Sequence, residues 1–156
     1  FYQVVYDREN WKRITAYLAT DNYDKIHVVN RAQLIIDLMI SKDGTEDNTE
    51  KILDLMSYLI REVDPLPWKF AIEFFKGRVG VFRNSPVYEP FRKFLVHLLS
   101  NIIDKIGFEG RDDDDEVTRS LRAQLVPLAC DLRHKGCQDI GLDKLIKIIN
   151  KEIEQP

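Results

Sequence analysis

The 156-residue chain carries 23 Lys and Arg against 26 Asp and Glu, a formal net charge of −3, with 44% hydrophobic and 31% charged residues. This composition and length predict one globular domain over residues 1–156 with its own core. The acidic excess argues against nucleic-acid binding, which needs clustered cations, and no apolar run approaches the roughly 20 residues of a membrane span. Because the chain has no initiator Met or signal peptide, we expect it to be a segment of a longer protein.

The first elements are a strand and a helix. Residues 1–6 are aromatic and β-branched, which favours an extended segment, and Asp7 can then cap a helix over 8–19. The apolar face of this helix is formed by Trp11, Ile14, Tyr17 and Leu18.

A helical hairpin is predicted over residues 30–68, with a polar break at 42–44. Its apolar residues recur at the three-and-four spacing of amphipathic helices. They are Leu34, Ile35, Leu38 and Met39 in the first helix and Ile52, Leu55, Met56, Leu59 and Ile60 in the second.

Four further helices follow in the same pattern. Pro67 suits the first turn of a helix over 67–81, residues 84–86 form a turn, and a long amphipathic helix is stopped by Gly107. Helices over 114–132 and 138–154 complete the chain, with Pro127 expected to kink or interrupt the first of them. The sequence therefore predicts an all-α fold of helical hairpins. Pairs of about 35 to 45 residues suggest a HEAT-like α-superhelix, although periodicity alone also permits a bundle.

Two stretches resemble the C-terminal helical domain of the M1 zinc aminopeptidases, a group that includes aminopeptidase N and the endoplasmic-reticulum aminopeptidases. One is the hairpin, with an Asn-Arg-Ala-Gln-Leu start at Asn30 and Arg31, a following Asp37, and the ending marked by Tyr58, Leu59, Glu62, Pro67 and Trp68. The other stretch resembles the segment that joins a preceding β-sandwich domain to the helical domain in this family. It matches that segment at Tyr2, Val4, Tyr6, Asp7, Asn10 and Trp11 and differs from it at Gln3 and Val5.

The resemblance implies a function for the whole protein. Residues 1–6 would be the junction strand from a preceding β-sandwich domain, with a zinc-dependent catalytic domain further upstream. This helical domain would be non-catalytic and would enclose the active-site cavity, limiting access while the parent enzyme removes N-terminal residues from peptides. The alternatives are a catalytically inactive relative that serves as a binding scaffold or receptor and, more distantly, an unrelated helical-repeat adaptor.

Zinc in this family is held by His-Glu-x-x-His and a downstream Glu, and the chain has no such motif. We therefore predict no catalytic residue, metal ligand or cofactor in this segment, with zinc only in the parent. His27, His97 and His134 are expected to be surface or structural residues. The acidic run 112–116 lacks EF-hand spacing and is expected to be a solvated loop that caps the next helix, a protein contact being the alternative.

Several motif residues have either a structural or a cavity-lining role in this interpretation: Asn30, Arg31, Asp37, Tyr58, Glu62, Trp68 and Arg122. Arg31 opens a helix at an apolar hairpin, where Asp37 or Glu62 could meet it in a salt bridge. Trp68 is expected to anchor the core rather than to form a ligand platform.

Cys130 and Cys137 are the two cysteines. On one continuous helix their Cα atoms would lie about 10.5 Å apart, beyond disulfide range, so pairing requires a break between them. Gly136 could supply it in a left-handed conformation. The M1 family has two cysteines at this spacing, and Leu121-Arg122 with Ala129-Cys130 matches its pattern, which implies a disulfide and an extracellular, cell-surface or endoplasmic-reticulum location. Two free thiols remain the alternative.

Overall fold

The computed structural model describes residues 3–40 and 49–152, and its described part is built from helices without a strand. The α-helices are α1 (Arg8–Leu18), α2 (Val28–Ile40), α3 (Thr49–Met56), α4 (Pro65–Phe82), α5 (Tyr88–Ile106), α6 (Glu116–Asp131) and α7 (Lys135–Ile149). Two 3₁₀ helices, Tyr23–Lys25 and Ser57–Ile60, lie before α2 and after α3. The predicted all-α fold is confirmed.

The helices pack in two layers. In one layer α2 packs on α4, and α4 packs on α6. In the other, α1 packs on α3, and the 3₁₀ helix that continues α3 packs on α5. Helices that follow each other in the chain thus alternate between layers, which is the packing expected of a hairpin array.

The core between the layers is continuous from α1 to α6. Its centre is α4, in which Trp68, Ala71, Ile72 and Phe75 are all fully buried. Burying a large apolar side chain contributes about 1.5–3 kcal/mol, so this face of α4 supplies much of the driving force that holds the two layers together. Met56 is fully buried and Met39 packs at the core's edge, as expected of gap-filling methionines.

Aspartate side chains cap the starts of three helices. Asp7, Asp64 and Asp115 cap α1, α4 and α6, each carboxylate accepting a hydrogen bond from a backbone N–H of the first turn. Gly107 takes φ 71° and ψ 170° just after α5, a positive-φ conformation that favours glycine and ends the helix. The structure confirms the predicted cap at Asp7, the predicted cap in the acidic run and the predicted helix end at Gly107.

Some predicted boundaries were wrong. Helix α4 begins at Pro65 rather than Pro67, because Asp64 caps it and both prolines fit a first turn that needs no N–H donors. The second hairpin helix narrows to a 3₁₀ helix after Met56, and the last helix spans Lys135–Ile149. Residues 3–7 have no regular structure. The start of the predicted strand, the polar break at 42–44 and residues 153–154 lie outside the described residues.

Pro127 does not interrupt α6, which runs on to Asp131. Proline removes the N–H that would bond to the carbonyl four residues earlier, here that of Ala123. Ala123 and Pro127 are both exposed, so water can satisfy that carbonyl. The helix therefore continues past a residue that usually breaks one.

Helix α7 is the least buried helix. None of its residues is fully buried, and a stripe formed by Leu142, Leu145, Ile146 and Ile149 is 48–68% exposed. The helix is attached at its N-terminal end, where an added Cβ on Gly136 would come within 2.7 Å of the Phe108 ring. Close packing, rather than a left-handed conformation, thus explains this glycine. The left-handed residue in the turn is Arg133, with φ 58°, so the prediction for Gly136 was wrong.

Candidate functional site

The motif residues of the hairpin meet in a buried ion pair. Arg31 of α2 and Glu62, just after the Ser57–Ile60 turn, form two hydrogen bonds, Nε to Oε2 at 2.6 Å and Nη2 to Oε1 at 3.0 Å. Their side chains are 8% and 1% exposed. Burial is the largest single influence and would lower the pKa of Arg31, but the hydrogen bond and charge attraction of Glu62, with smaller contributions from Tyr58 and Tyr23, together raise it. The guanidinium therefore stays charged.

Glu62 also fixes the turn into α4. Its Oε1 accepts hydrogen bonds from the backbone N–H groups of Val63 and Asp64, at 3.1 and 3.0 Å. Its own carbonyl accepts from the Trp68 indole Nε1 at 2.9 Å. The Tyr-x-x-x-Glu and Pro-Trp parts of the motif thus form one unit, in which Trp68 is fully buried as a core anchor.

Two tyrosines surround the ion pair. The Tyr23 ring lies 5.3 Å from the Arg31 guanidinium in a cation–π contact, and its hydroxyl donates to the Arg61 carbonyl at 2.8 Å. Tyr58, almost fully buried, packs on Tyr23 at 5.9 Å. Burial first, and the Glu62 carboxylate second, raises the pKa of both phenols, so both remain neutral.

Asn30 and Asp37 lie on a different surface from this ion pair. They line an open groove of about 750 Å³ between the N-terminal segment and α2. Asp37 is 1% exposed and does not contact Arg31; its Oδ1 accepts from Gln33 Nε2 at 2.8 Å. Of the two acids considered for Arg31, the structure therefore pairs Glu62 and leaves Asp37 in the groove. The apolar part of the groove comprises Val4, Ile14, Ile26, Val29 and Leu34.

Arg122 of α6 holds a second buried ion pair. It binds Asp114 through Nη2 and Oδ1 at 2.9 Å and donates to the Ile106 carbonyl at 2.6 Å, which satisfies the C-terminal end of α5. The hydrogen bond from Arg122, followed by one from the Arg111 backbone, lowers the pKa of Asp114 to about 2. Asp114 was expected in a solvated loop and is instead part of this pair, because α6 brings Arg122 over it.

Within residues 3–40 and 49–152, no group of three or more His, Cys, Asp or Glu side chains is arranged to hold a metal ion. His27 and His97 are exposed, and His134 caps α7 by accepting a hydrogen bond from the Gly136 N–H at 3.2 Å. The residues described here thus do not fit the zinc that the M1 family implies.

Cys130 and Cys137 form a disulfide with Cα atoms 5.3 Å apart. Cys130 lies in the last turn of α6 and Cys137 in the first turn of α7, and the chain reverses between them at Arg133. The predicted bond, and the break that it required, are confirmed.

Two features of the site were missed from the sequence. Tyr23 has no spacing relation to Arg31 that a pattern would reveal, since it lies in a short 3₁₀ helix. The acidic partner of Arg122 could have been predicted from the sequence. An arginine on an apolar helix face needs an acidic side chain nearby, and the acidic run 112–116 contains several.

The comparisons with known proteins agree with the geometry. The profile described as "ERAP1-like C-terminal domain" matches residues 1–152. "Aminopeptidase N" of Plutella xylostella is 31% identical over 138 residues, which cover 88% of this chain and 14% of that protein. "Aminopeptidase N" of Oryctolagus cuniculus is 36% identical over 95 residues, covering 61% and 10%. "Membrane alanyl aminopeptidase" of Heliothis virescens is 26% identical over 138 residues, covering 88% and 14%.

The fold and the motif unit define an all-α type of domain within the described residues. The chain belongs to the ERAP1-like C-terminal domain family, the C-terminal helical domain of the M1 aminopeptidases. It spans about one seventh of the length of the relatives from Plutella xylostella and Heliothis virescens, at 14% of each, and 10% of the relative from Oryctolagus cuniculus. No helix in the described part is both long and apolar enough to traverse a bilayer.

Proposed function

We propose that this chain is the non-catalytic helical part of a zinc-dependent M1 aminopeptidase, in which it encloses the active-site cavity and limits peptide access. The family match over residues 1–152 carries this proposal. The parent enzyme removes N-terminal residues from peptides, and its zinc and catalytic groups lie in domains outside this chain.

The rigidity of the motif unit supports an enclosing role. Arg31, Glu62 and Trp68 tie α2, the turn after α3 and α4 together through side-chain and main-chain hydrogen bonds. A wall that restricts access has to keep its shape, and bidentate, buried, charge-assisted contacts resist deformation. The junction segment and β-sandwich domain are the proposed neighbours on the N-terminal side.

The disulfide supports an oxidising compartment. We place the parent enzyme on the cell surface, because relatives carry the name "Membrane alanyl aminopeptidase", with the endoplasmic-reticulum lumen as the other oxidising location. Residues 1–6 are proposed to be the junction to the preceding domain.

The test uses the parent enzyme and two substrates, a single aminoacyl p-nitroanilide and a ten-residue peptide. Deleting the helical domain should lower the ratio of anilide turnover to peptide turnover, because the barrier that limits peptide access is removed. An upstream His-Glu-x-x-His with its distal Glu is expected. Substitutions there, with no turnover of either substrate, would refute the enzyme and favour an inactive scaffold.

A further inference from the structure

The bond between Cys130 and Cys137 can be reached from solvent in the folded chain. Cys130, in the last turn of α6, is exposed, and Cys137, in the first turn of α7, is half-buried. The two cysteines are seven positions apart, so the bond closes a short loop that contains the turn between the two helices. Exposed disulfides are more easily reduced than buried ones, because a thiolate can reach a sulfur atom without unfolding of the protein.

Helix α7 is held mainly at the end that carries the disulfide. None of its residues, all of which lie in the described part of the chain, is fully buried or belongs to the continuous core. Further along the helix, the ion pair between Lys144 and Glu109 is 54% and 62% exposed, and exposed pairs contribute little to stability. At the N-terminal end, the His134 ring lies 5.5 Å from that of Phe108. The docking of α7 therefore depends on the contacts around its first turn.

The turn inside the disulfide loop has an unfavourable backbone conformation. Arg133 takes φ 58°, a left-handed value that residues with a Cβ adopt at a cost in free energy. The turn is closed by the hydrogen bond from the His134 N–H to the Ala129 carbonyl at 2.9 Å. The disulfide restricts the open conformations that the loop can adopt. Breaking the bond therefore allows Arg133 to relax and α7 to change its direction relative to α6.

We infer that the Cys130–Cys137 disulfide is a reducible switch that controls the docking of α7, and that its reductant is a dithiol. A thiolate of the dithiol attacks Cys130 Sγ, since Cys130 is the exposed partner, and Cys137 Sγ leaves with the bonding electron pair. The second thiol of the reductant then attacks its own sulfur in the mixed disulfide and releases Cys130. The protein gains two electrons and two protons, and the dithiol is oxidised to a disulfide.

Reduction detaches α7 at Arg133, while α1 to α6 keep their fold around the core. Local opening of this kind is expected of an element with few buried apolar contacts, whereas α4, the centre of the core, opens only when the whole chain unfolds. The inference concerns the chain itself and does not depend on the proposed enzyme function.

The test is native-state hydrogen exchange, read by mass spectrometry, on the 156-residue chain before and after treatment with dithiothreitol and iodoacetamide without denaturant. Both cysteines should become alkylated. The amides of α7 should then exchange on the order of 50-fold faster, the factor that corresponds to opening a loop of this length. The amides of α4 should remain far more protected than those of α7 in both forms.

Two variants separate the loss of the bond from other effects. Cys130→Ser with Cys137→Ser should show the fast exchange in α7 without reductant or alkylation, and protected α4 amides would show that this variant folds. Glu109→Gln removes the exposed ion pair and keeps the disulfide, so α7 exchange should stay within about twofold of that in the unmodified chain.

The inference is overturned if dithiothreitol reduces the bond only after urea has unfolded the chain, or if α7 exchange is unchanged by reduction. Equal protection of α7 and α4 in either form would mean that the two helices open in a single transition, which also refutes a separate switch. The same acceleration is expected in the parent protein. Unchanged α7 exchange there would mean that another part of that protein holds the helix, and the switch would have to be withdrawn.

Discussion

Arg31 and Glu62 lie 31 positions apart in the sequence and form a bidentate ion pair in the interior, with Nε to Oε2 at 2.6 Å. The pair joins the start of α2 to the turn that precedes α4, and these two helices pack on each other. Because both charges are buried, each depends on the other as its counter-ion.

Removing one charge of this pair should destabilise the fold strongly. Glu62→Gln leaves the Arg31 guanidinium buried without a counter-ion, and breaking a buried pair in this way costs roughly 3 kcal/mol of unfolding free energy. Urea unfolding followed by circular dichroism gives the value. The matched control is Glu9→Gln, which breaks the exposed Glu9 to Arg13 pair and should leave the midpoint unchanged. Equal shifts in the two variants would contradict the buried role.

The Asp114 to Arg122 pair should make stability depend on acid pH. The hydrogen bond from Arg122 lowers the pKa of Asp114 to about 2 in the folded chain, below its ordinary value of 3.8. A lowered pKa contributes stability that is fully present above the unfolded value and is lost as the pH falls through the folded value. The loss attributable to Asp114 therefore lies between about pH 4 and pH 2.

Comparison with Asp114→Asn isolates this contribution. Asp115 and Glu89 also have lowered pKa values, from bonds to the Thr118 backbone and to Arg92, and will lower acid stability in both proteins. Urea midpoints at pH 5 and pH 2.5 should therefore fall further for the unmodified chain than for Asp114→Asn. Asp113→Asn, an exposed neighbour, serves as the control and should behave like the unmodified chain. Identical pH profiles for all three would refute the pair's effect.

The sequence predicted the helices better than it predicted the site. Apolar spacing along the chain reports which face of a helix is buried, and so it located the helical segments within a few residues. It could not report that α3 tightens after Met56, since a 3₁₀ helix buries much the same residues. The choice between Asp37 and Glu62 as the partner of Arg31 depended on how α2 and α4 pack, which no local pattern encodes.

The same limit applies to the groove and to α7. Asp37 lies two positions after Ile35 in the helical pattern, and nothing local reveals that one of its oxygens lacks a donor among the described residues. The apolar residues of α7 recur at the spacing of a buried helix face. Burial requires a neighbouring element, and in the described residues that stripe remains about half exposed.

Reducing or removing the disulfide should destabilise the chain moderately. The loop between Cys130 and Cys137 is short, and the chain-entropy relation gives about 2.5 kcal/mol for closing it. A double variant, Cys130→Ser with Cys137→Ser, should show this loss in urea unfolding. Thiol titration of the denatured protein, purified without reductant, should find no free thiol in the unmodified chain. Two reactive thiols there would contradict the bond.

Replacing a leucine with alanine should lower the free energy of unfolding much more in the core than in α7. Leu99 in α5 is fully buried, and Leu99→Ala should cost about 3 kcal/mol through lost burial and the cavity left behind. Leu145 in α7 is 53% exposed, and Leu145→Ala should cost under about 1 kcal/mol, since alanine also favours helix. Thermal or urea unfolding measures both. A large loss for Leu145→Ala would mean that α7 is covered in solution.

The isolated 156-residue chain should have no aminopeptidase activity, with or without added zinc. Hydrolysis by the M1 route needs a metal-bound water, a general base and an anchor for the free amine in one site. Among the described residues no three potential ligands converge, and carboxylates without paired imidazoles make a poor zinc site. Incubation with zinc and an aminoacyl p-nitroanilide is the measurement, with a chelator-treated sample as control. Turnover above the buffer blank that the chelator abolishes would require a catalytic site in this chain and would remove the basis for a purely enclosing role.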